Sequence, residues 1–267
     1  MKTNYKIIVC YDGTRYNGWQ KQGNTEETIQ GKLENVIGRM TGEITEVTGA
    51  GRTDAGVHAL GQTANFFAEP DRTAEEIREY LNEYLPEDIA VRSVSEVSPR
   101  FHSRYCTSGK IYRYAAAKEK SENLFRRRYM WQYYEFCRDR GRSAKLSVSA
   151  MRSASECLIG THDFRSFCGD RHRKKPTVRT VRRIDIEEDE STVVMTFEGD
   201  GFLPYMVRIM AGTLIETGSG MRDPGDLKKI LEGKDRSLAG MTAPACGLTL
   251  AEVLYENDGS VFLKEPL

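Results

Sequence analysis

No two cysteines in this chain stand close enough to suggest a staple or a metal knuckle. Cys10, Cys106, Cys137, Cys157, Cys168 and Cys246 are scattered without a Cys-x-x-Cys spacing, which argues against a disulfide framework and against a zinc site. Free thiols in a reducing, cytoplasmic compartment are expected instead. Long hydrophobic runs are missing as well. Met1-Lys2-Thr3-Asn4 leads directly into a strand-like segment, and no apolar stretch approaches the length of a membrane span, so no membrane partner is expected. Low-complexity segments and long linkers are also absent. So is net charge, since 39 Lys and Arg balance 39 Asp and Glu and the total selects no partner.

What is present is segregated charge. Ser98 to Arg128 holds nine Lys/Arg against two Glu, and Arg171 to Arg183 holds seven Lys/Arg with no acid. Acids gather elsewhere, with eight against two Arg between Glu69 and Asp88 and five between Asp185 and Glu190. A neutral molecule built this way can present a positive face to a polyanion such as nucleic acid, although any single run also suits a solvated surface.

With 267 residues the chain has room for one large domain or two ordinary ones. Tyr5 to Tyr11 reads as a strand closed by Asp12-Gly13. Asn24 and Glu27 form a capping-box pattern ahead of a helix carrying Ile29, Leu33, Val36, Ile37 and Met40. Strands are expected over Ile44 to Thr48 and Gln62 to Phe67, then a helix capped by Thr73 and Glu76 and ended by Pro86. The second half repeats the order loosely. A strand over Lys110 to Ala117 and a helix over Val148 to Ile159 precede a β-pair, Val178 to Ile186 and Thr192 to Glu198. A long apolar helix with Pro204 in its first turn runs to Gly218, and Asp223-Pro224 opens a shorter one ended by Gly233. Arg126 to Lys145 is expected to be an irregular insertion. The fold class is therefore α/β (α+β): two ferredoxin-like halves with mostly antiparallel sheets and a catalytic cleft between them. Residues 1–105 would carry the acidic loop and 106–267 the later motifs.

That acidic loop is Gly49 to Gln62, in which four glycines surround Arg52-Thr53-Asp54. A dinucleotide fingerprint would need glycine where Asp54 stands, and a P-loop would need Gly-Lys-Ser/Thr further on. The glycines shape a loop that presents one carboxylate, either to the backbone as a turn or to a substrate. Within the apolar run Phe202 to Ile215 the sole ionised side chain is Arg208. Buried, it needs a carboxylate or a phosphate beside it, and Asp54 is the best candidate; near the first turn, it could instead reach the surface. An arginine beside a sheltered carboxylate favours the ionised form, fit to act as nucleophile or base. The usual glycosidase needs a second acid, which this loop lacks. His58 and His102 have no partner suggesting a triad or a metal, so loop packing or nucleic-acid contact suits them.

Gly51-Arg52-Thr53-Asp54-Ala55-Gly56-Val57-His58-Ala59 closely resembles the signature of the TruA family of tRNA pseudouridine synthases. Further segments resemble the family's motifs in order: Tyr11-Asp12-Gly13-Thr14 with Tyr16-Asn17-Gly18-Trp19-Gln20, Phe101-His102-Ser103-Arg104, Lys110 to Tyr114, Asp163 to Phe167, Met206-Val207-Arg208 and Gly247 to Leu250. The resemblance implies isomerisation of uridine at positions 38, 39 and 40 of the tRNA anticodon stem-loop, by a cytoplasmic homodimer, with no cofactor and no required metal. It implies Asp54 as the catalytic aspartate, attacking the nucleotide or abstracting its proton, and Arg208 as its basic partner. Tyr112 would stack on the target uracil, Leu248 would pack near it, and Arg52 would hold the flipped nucleotide. A stacked aromatic and a flipped base are what chemistry on a paired nucleotide needs. Tyr114 reads better as a packing residue. Lys110, Arg113, Arg173, Lys174 and Lys175 are candidate phosphate contacts. The region from Asn123 to Leu146 matches no motif of the family.

Overall fold

Alternation in the first strand shows how the architecture is built. In β1 (Thr3–Tyr11) the side chains of Tyr5, Ile7, Val9 and Tyr11 are all buried, the period-two pattern of a strand packed on one face. The computed structural model describes residues 2–69, 71–120, 124–170 and 172–256; Arg171 in the second basic run and Asn123 at the head of the unmatched region lie outside the described residues. Two compact units divide the chain, one reaching Ser108 and including the chain from Thr249, the other running from Gly109 to Leu248.

The first unit holds β1, α1 (Ile29–Thr41), β2 (Thr48–Gly49), β3 (His58–Ala68), α2 (Ala74–Tyr84) and β4 (Ile89–Val97), followed by most of the last strand, β9 (Leu248–Tyr255). Its strands lie in the order β4-β1-β3, with β2 antiparallel and β9 parallel to β3. This βαββαβ sequence with β1 between β3 and β4 is the ferredoxin-like arrangement expected from the sequence. The helix after β1 is capped by Thr28, whose hydroxyl accepts the Gly31 N–H, and not by Asn24 and Glu27. Those two residues instead lie in a turn, where Thr25 Oγ1 accepts the Glu27 N–H. The strand expected over residues 44–48 shrinks to Thr48–Gly49. Glu34 accepts the Val47 N–H and Gln30 donates to the Val47 carbonyl, so side chains of α1 occupy groups that a longer ladder would use, while Ile44 stands fully exposed. The α2 capping box forms as read, Thr73 and Glu76 each accepting the other's backbone N–H.

The second unit orders its strands β5-β8-β7-β6, all antiparallel, from β5 (Thr107–Ala117), β6 (Gly160–Asp163), β7 (Val178–Glu188) and β8 (Thr192–Gly199). Its helices are α3 (Tyr133–Arg138), α4 (Val148–Ser155), α5 (Met206–Gly218) and α6 (Asp226–Gly233). The insertion expected to be irregular contains a 3-10 turn at Leu124–Tyr129 as well as α3, and it buries Trp131, Tyr133 and Cys137. Trp131 N–H donates to the Ala115 carbonyl and Trp131 O accepts the Ala117 N–H, which ties the insertion to β5. Pro204 precedes α5 instead of entering it, and Tyr205 takes the N-cap position with φ +60°. Every residue of α5 is buried except Arg208 and Glu216, which are half-buried. Among the described residues no helix is long and apolar enough to cross a membrane.

Candidate active site

The Asp54 loop is fixed by its neighbours before any side chain acts. It joins β2 to β3 and lies against the turn that follows β1. Trp19 N–H donates to the Thr53 carbonyl at 3.1 Å, and Gly56 N–H donates to the Tyr16 carbonyl at 3.2 Å. Tyr11 and Thr53 hydroxyls are 2.8 Å apart, and Gln62 donates to the Gly51 carbonyl at 3.0 Å. Two glycines of the turn make this approach possible. A Cβ on Gly13 would lie 2.0 Å from the Val57 carbonyl oxygen, and one on Gly18, which has φ +87°, would lie 2.5 Å from that of Thr53. Buried His58 completes the seat, its Nδ1 accepting the Gly13 N–H at 3.1 Å. Because that nitrogen is an acceptor, its 3.2 Å approach to Asp12 is not the ion pair of a protonated ring. Tyr11, buried against this loop, has its hydroxyl pKa pushed far up by desolvation, so it stays a neutral donor or acceptor to Thr53.

From this frame Asp54 projects half-buried, and Arg52 is exposed on the same loop. The Arg52 guanidinium is nonetheless oriented: its Nε donates to Gln20 Oε1 at 2.9 Å, Gln20 donates to Gln30 at 2.6 Å, and Gln30 donates to Glu34 at 3.0 Å. The anchor Gln20 and the seating of the loop on Gly13 and Gly18 have no counterpart in the sequence reading, which takes Asp12-Gly13 only as the turn closing β1 and Tyr16 to Gln20 only as part of a segment resembling the family's.

In the second unit, Tyr112 and Tyr114 share a face of β5 with Lys110, while Arg113 points to the other face. Tyr112 is nearly buried and meets Phe202 edge-on, with ring centroids 5.4 Å apart. Tyr114 is the packing residue its reading suggested, fully buried with its hydroxyl donating to the Pro244 carbonyl at 2.9 Å. Burial pushes the Tyr114 hydroxyl pKa well up, Cys246 adds to this, and the nearby Arg208 guanidinium opposes it. Arg208 itself donates from Nε to the Ala243 carbonyl at 2.8 Å, and the Ala243 N–H returns a bond to the Arg208 carbonyl. The segment from Ala243 to the buried Leu248 thus gathers Arg208, Tyr114 and Leu248 into one neighbourhood.

Tyr205 was missed from the sequence. Its left-handed backbone is costly for a side chain with a Cβ, about 1–2 kcal/mol. It is half-exposed, its ring lies where a Cβ on Gly169 would be 2.2 Å away, and the Arg208 guanidinium stands 5.2 Å from its centroid. Of the candidate phosphate contacts, Lys174 and Lys175 are exposed, whereas Lys110, Arg113 and Arg173 are half-buried. Among the described residues no cluster of His, Cys, Asp and Glu is arranged to hold a metal.

Residues 7–106 and 154–256 match the family model described as tRNA pseudouridine synthase, more than half of the chain. The stretch between the two blocks contains Lys110, Tyr112 and Arg113. The chain is 45% identical over 252 residues to tRNA pseudouridine synthase A of Bacillus sp. strain KSM-64, covering 94% of this chain and 99% of the relative. It is 44% identical over 252 residues, with the same coverage, to tRNA pseudouridine synthase A 1 of Clostridium tetani strain Massachusetts / E88. Against tRNA pseudouridine synthase A of Geobacillus kaustophilus strain HTA426 it is 42% identical over 260 residues, covering 97% of this chain and 96% of the relative. The likeness runs through the glycine-wrapped Asp54 loop and the Arg208 helix alike, and the chain belongs to the tRNA pseudouridine synthase family.

Proposed function

We propose that this protein isomerises uridine to pseudouridine at positions 38, 39 and 40 of the tRNA anticodon stem-loop. The observation that carries the reading is a half-buried carboxylate, Asp54, on a loop fastened by backbone hydrogen bonds to Tyr16 and Trp19, in a chain of this family. The reaction breaks the N1–C1′ bond of uridine, turns the base and joins C5 to C1′. The hydrogen on C5 leaves as a proton and N1 ends protonated, so the product is an isomer.

Asp54 attacks the target nucleotide, at uracil C6 or at sugar C1′, or abstracts its proton, and Arg208 acts as its basic partner. Tyr112 stacks on the uracil, contributing roughly 1–3 kcal/mol, and Leu248 packs near it. Arg52, aimed by Gln20, holds the nucleotide once it has left the helix. Lys110, Arg113, Arg173, Lys174 and Lys175 contact phosphates. The enzyme works in the cytoplasm as a homodimer whose two copies grip one tRNA, an arrangement that light scattering with and without tRNA tests by mass.

Tritium release from tRNA labelled at uridine C5 tests the activity. Wild-type protein is expected to release tritium and the Asp54→Ala variant none. Silence from the wild type, or equal release by the variant, overturns the reading. Arg208→Met is expected to abolish release while tRNA affinity holds; lost binding alone contradicts its role beside Asp54.

A further inference from the structure

Glu216 is the second charged residue of α5, and no step of the reaction uses it. Arg208, Gly212 and Glu216 follow one another at four-residue spacing, which lines them along one face of a helix that is otherwise buried. Over that face runs the segment from Leu238 to Ala243. Gly240 N–H donates to the Thr213 hydroxyl at 3.0 Å, Met241 N–H to Glu216 Oε1 at 2.9 Å, and Ala243 N–H to the Arg208 carbonyl at 3.1 Å. Two glycines allow so close an approach. A Cβ on Gly212 would lie 2.0 Å from the Met241 carbonyl oxygen, and one on Gly240 would lie 2.8 Å from the Thr213 Cα.

The second oxygen of the same carboxylate, Oε2, accepts from Arg222 Nε, and Arg222 Nη1 donates to the Leu238 carbonyl at 3.0 Å. One ion pair therefore grips the segment at two points, Leu238 and Met241. The pair is sheltered, with side chains 15% and 26% exposed, so its charge-assisted bonds are stronger than those of a pair in open solvent. Ala243 sits between this grip and a second one, the Tyr114 hydroxyl on the Pro244 carbonyl. Its own carbonyl receives the Arg208 Nε at 2.8 Å. Nε is the guanidinium nitrogen nearest the stem, so a bond there fixes the plane of the fork and leaves both Nη groups to point onward.

We propose that Glu216 is a positioning residue: latched to Arg222, it holds the Leu238 to Ala243 segment down on α5 and so aims the Arg208 guanidinium through the Ala243 carbonyl. Without the carboxylate, Met241 N–H loses its acceptor and Arg222 its partner, and the segment keeps only its Thr213, Arg208 and Tyr114 contacts. Ala243 is then free to shift, and Arg208 shifts with it. The catalytic consequence rests on the reading of Arg208 as the basic partner of Asp54, whereas the aim itself does not.

The test uses the full-length protein and two readouts: tritium release from tRNA, and the Nε–H NMR signal of Arg208 in protein labelled with nitrogen-15, assigned by its loss in Arg208→Met. Glu216→Ala is expected to move or broaden that signal and to lower kcat about tenfold to 100-fold, the scale set by a displacement approaching 1 Å, while KM for tRNA stays within about twofold. Glu216→Gln keeps an acceptor for Met241 N–H, so its signal should stay near that of wild type and its kcat within about threefold. Leu227→Ala empties part of the core under α6; it should lower the thermal midpoint yet leave signal and kcat as they were. Thr213→Val removes the acceptor of Gly240 N–H, and should move both readouts in the same direction by less; it decides the matter if Glu216→Ala does not fold. An Arg208 signal that neither variant moves overturns the latch. So does a moved signal with wild-type kcat, or a kcat that Leu227→Ala lowers as much as Glu216→Ala does, since the loss then follows stability. If the wild type makes no pseudouridine but Glu216→Ala moves the Arg208 signal, the latch stands and the activity falls. If the wild type makes pseudouridine and Glu216→Ala changes neither readout, the reverse holds.

Discussion

Around Asp54, hydrogen bonds fasten the loop to Tyr16 and Trp19 of the turn behind it and to the strand residues Tyr11 and Gln62, and even exposed Arg52 is aimed by Gln20. Around Arg173, by contrast, Arg173, Lys174 and Lys175 form no ion pair among the described residues, and the Arg173 Nε is buried without a hydrogen-bond partner. The first loop is satisfied by the protein and needs nothing from outside to hold its shape. The second is satisfied only in part, so an anion improves it. A reacting carboxylate profits from fixed geometry, because misplacement by about 1 Å costs on the order of 100-fold in rate. A phosphate-binding loop profits from charge that folding has not used.

Gly18→Ala is the strongest way to break this contrast. The new Cβ would stand 2.5 Å from the Thr53 carbonyl oxygen on a backbone with φ +87°. Clash and left-handed strain together are expected to cost about 3 kcal/mol of stability and at least 100-fold in turnover. Urea denaturation and tritium release measure the two. Wild-type turnover in that variant would show that the packed turn does not set the Asp54 geometry. Gln20→Ala is gentler. It frees Arg52 without disturbing the loop backbone, so kcat/KM should fall about tenfold, the worth of one charge-assisted hydrogen bond, with the unfolding midpoint nearly unchanged. A large loss of stability instead would place the Gln20-Gln30 chain in the fold rather than in the aim of Arg52.

How far the sequence carried this contrast depended on distance along the chain. The Asp54 loop was legible because its glycines, its lone acid and its flanking strands are contiguous. The α2 cap was equally plain, since Thr73 and Glu76 sit three residues apart. Four features were not legible. The shortening of β2 depends on Gln30 and Glu34 reaching across to Val47. The place of β9 beside β3 joins residues nearly two hundred positions apart, such as His58 and Thr249. The seat of the loop depends on Gly13 and Gly18 meeting backbone about 40 residues on, which no local pattern encodes. Tyr205 offered no sign of its left-handed backbone, a conformation held by tertiary contact against the residue's own preference.

That last residue belongs to neither class of loop and so sharpens the comparison. Tyr205→Ala removes the ring from Gly169 and Arg208 yet keeps the strained φ, whereas Tyr205→Gly removes both ring and strain. The glycine variant should be more stable than the alanine variant by about 1 kcal/mol, read as a difference in denaturant midpoint. Equal stabilities would mean that the segment relaxes once the ring is gone, and that the ring holds the backbone rather than the reverse.

The smallest effect is expected where charge is least engaged. Lys174 is exposed and forms no ion pair among the described residues, so Lys174→Ala removes a charge without removing a contact. Its thermal midpoint should match wild type within error. Association with tRNA should slow about twofold to threefold at low salt, and the difference should vanish at high salt, where the Debye length shrinks to about 3 Å. Arg173→Ala should differ by keeping part of its loss at high salt, because its half-buried guanidinium is screened less. If Lys174→Ala weakens binding as much as Arg173→Ala does at every salt concentration, the loop acts through its summed charge alone, and the burial of Arg173 Nε has no bearing on RNA.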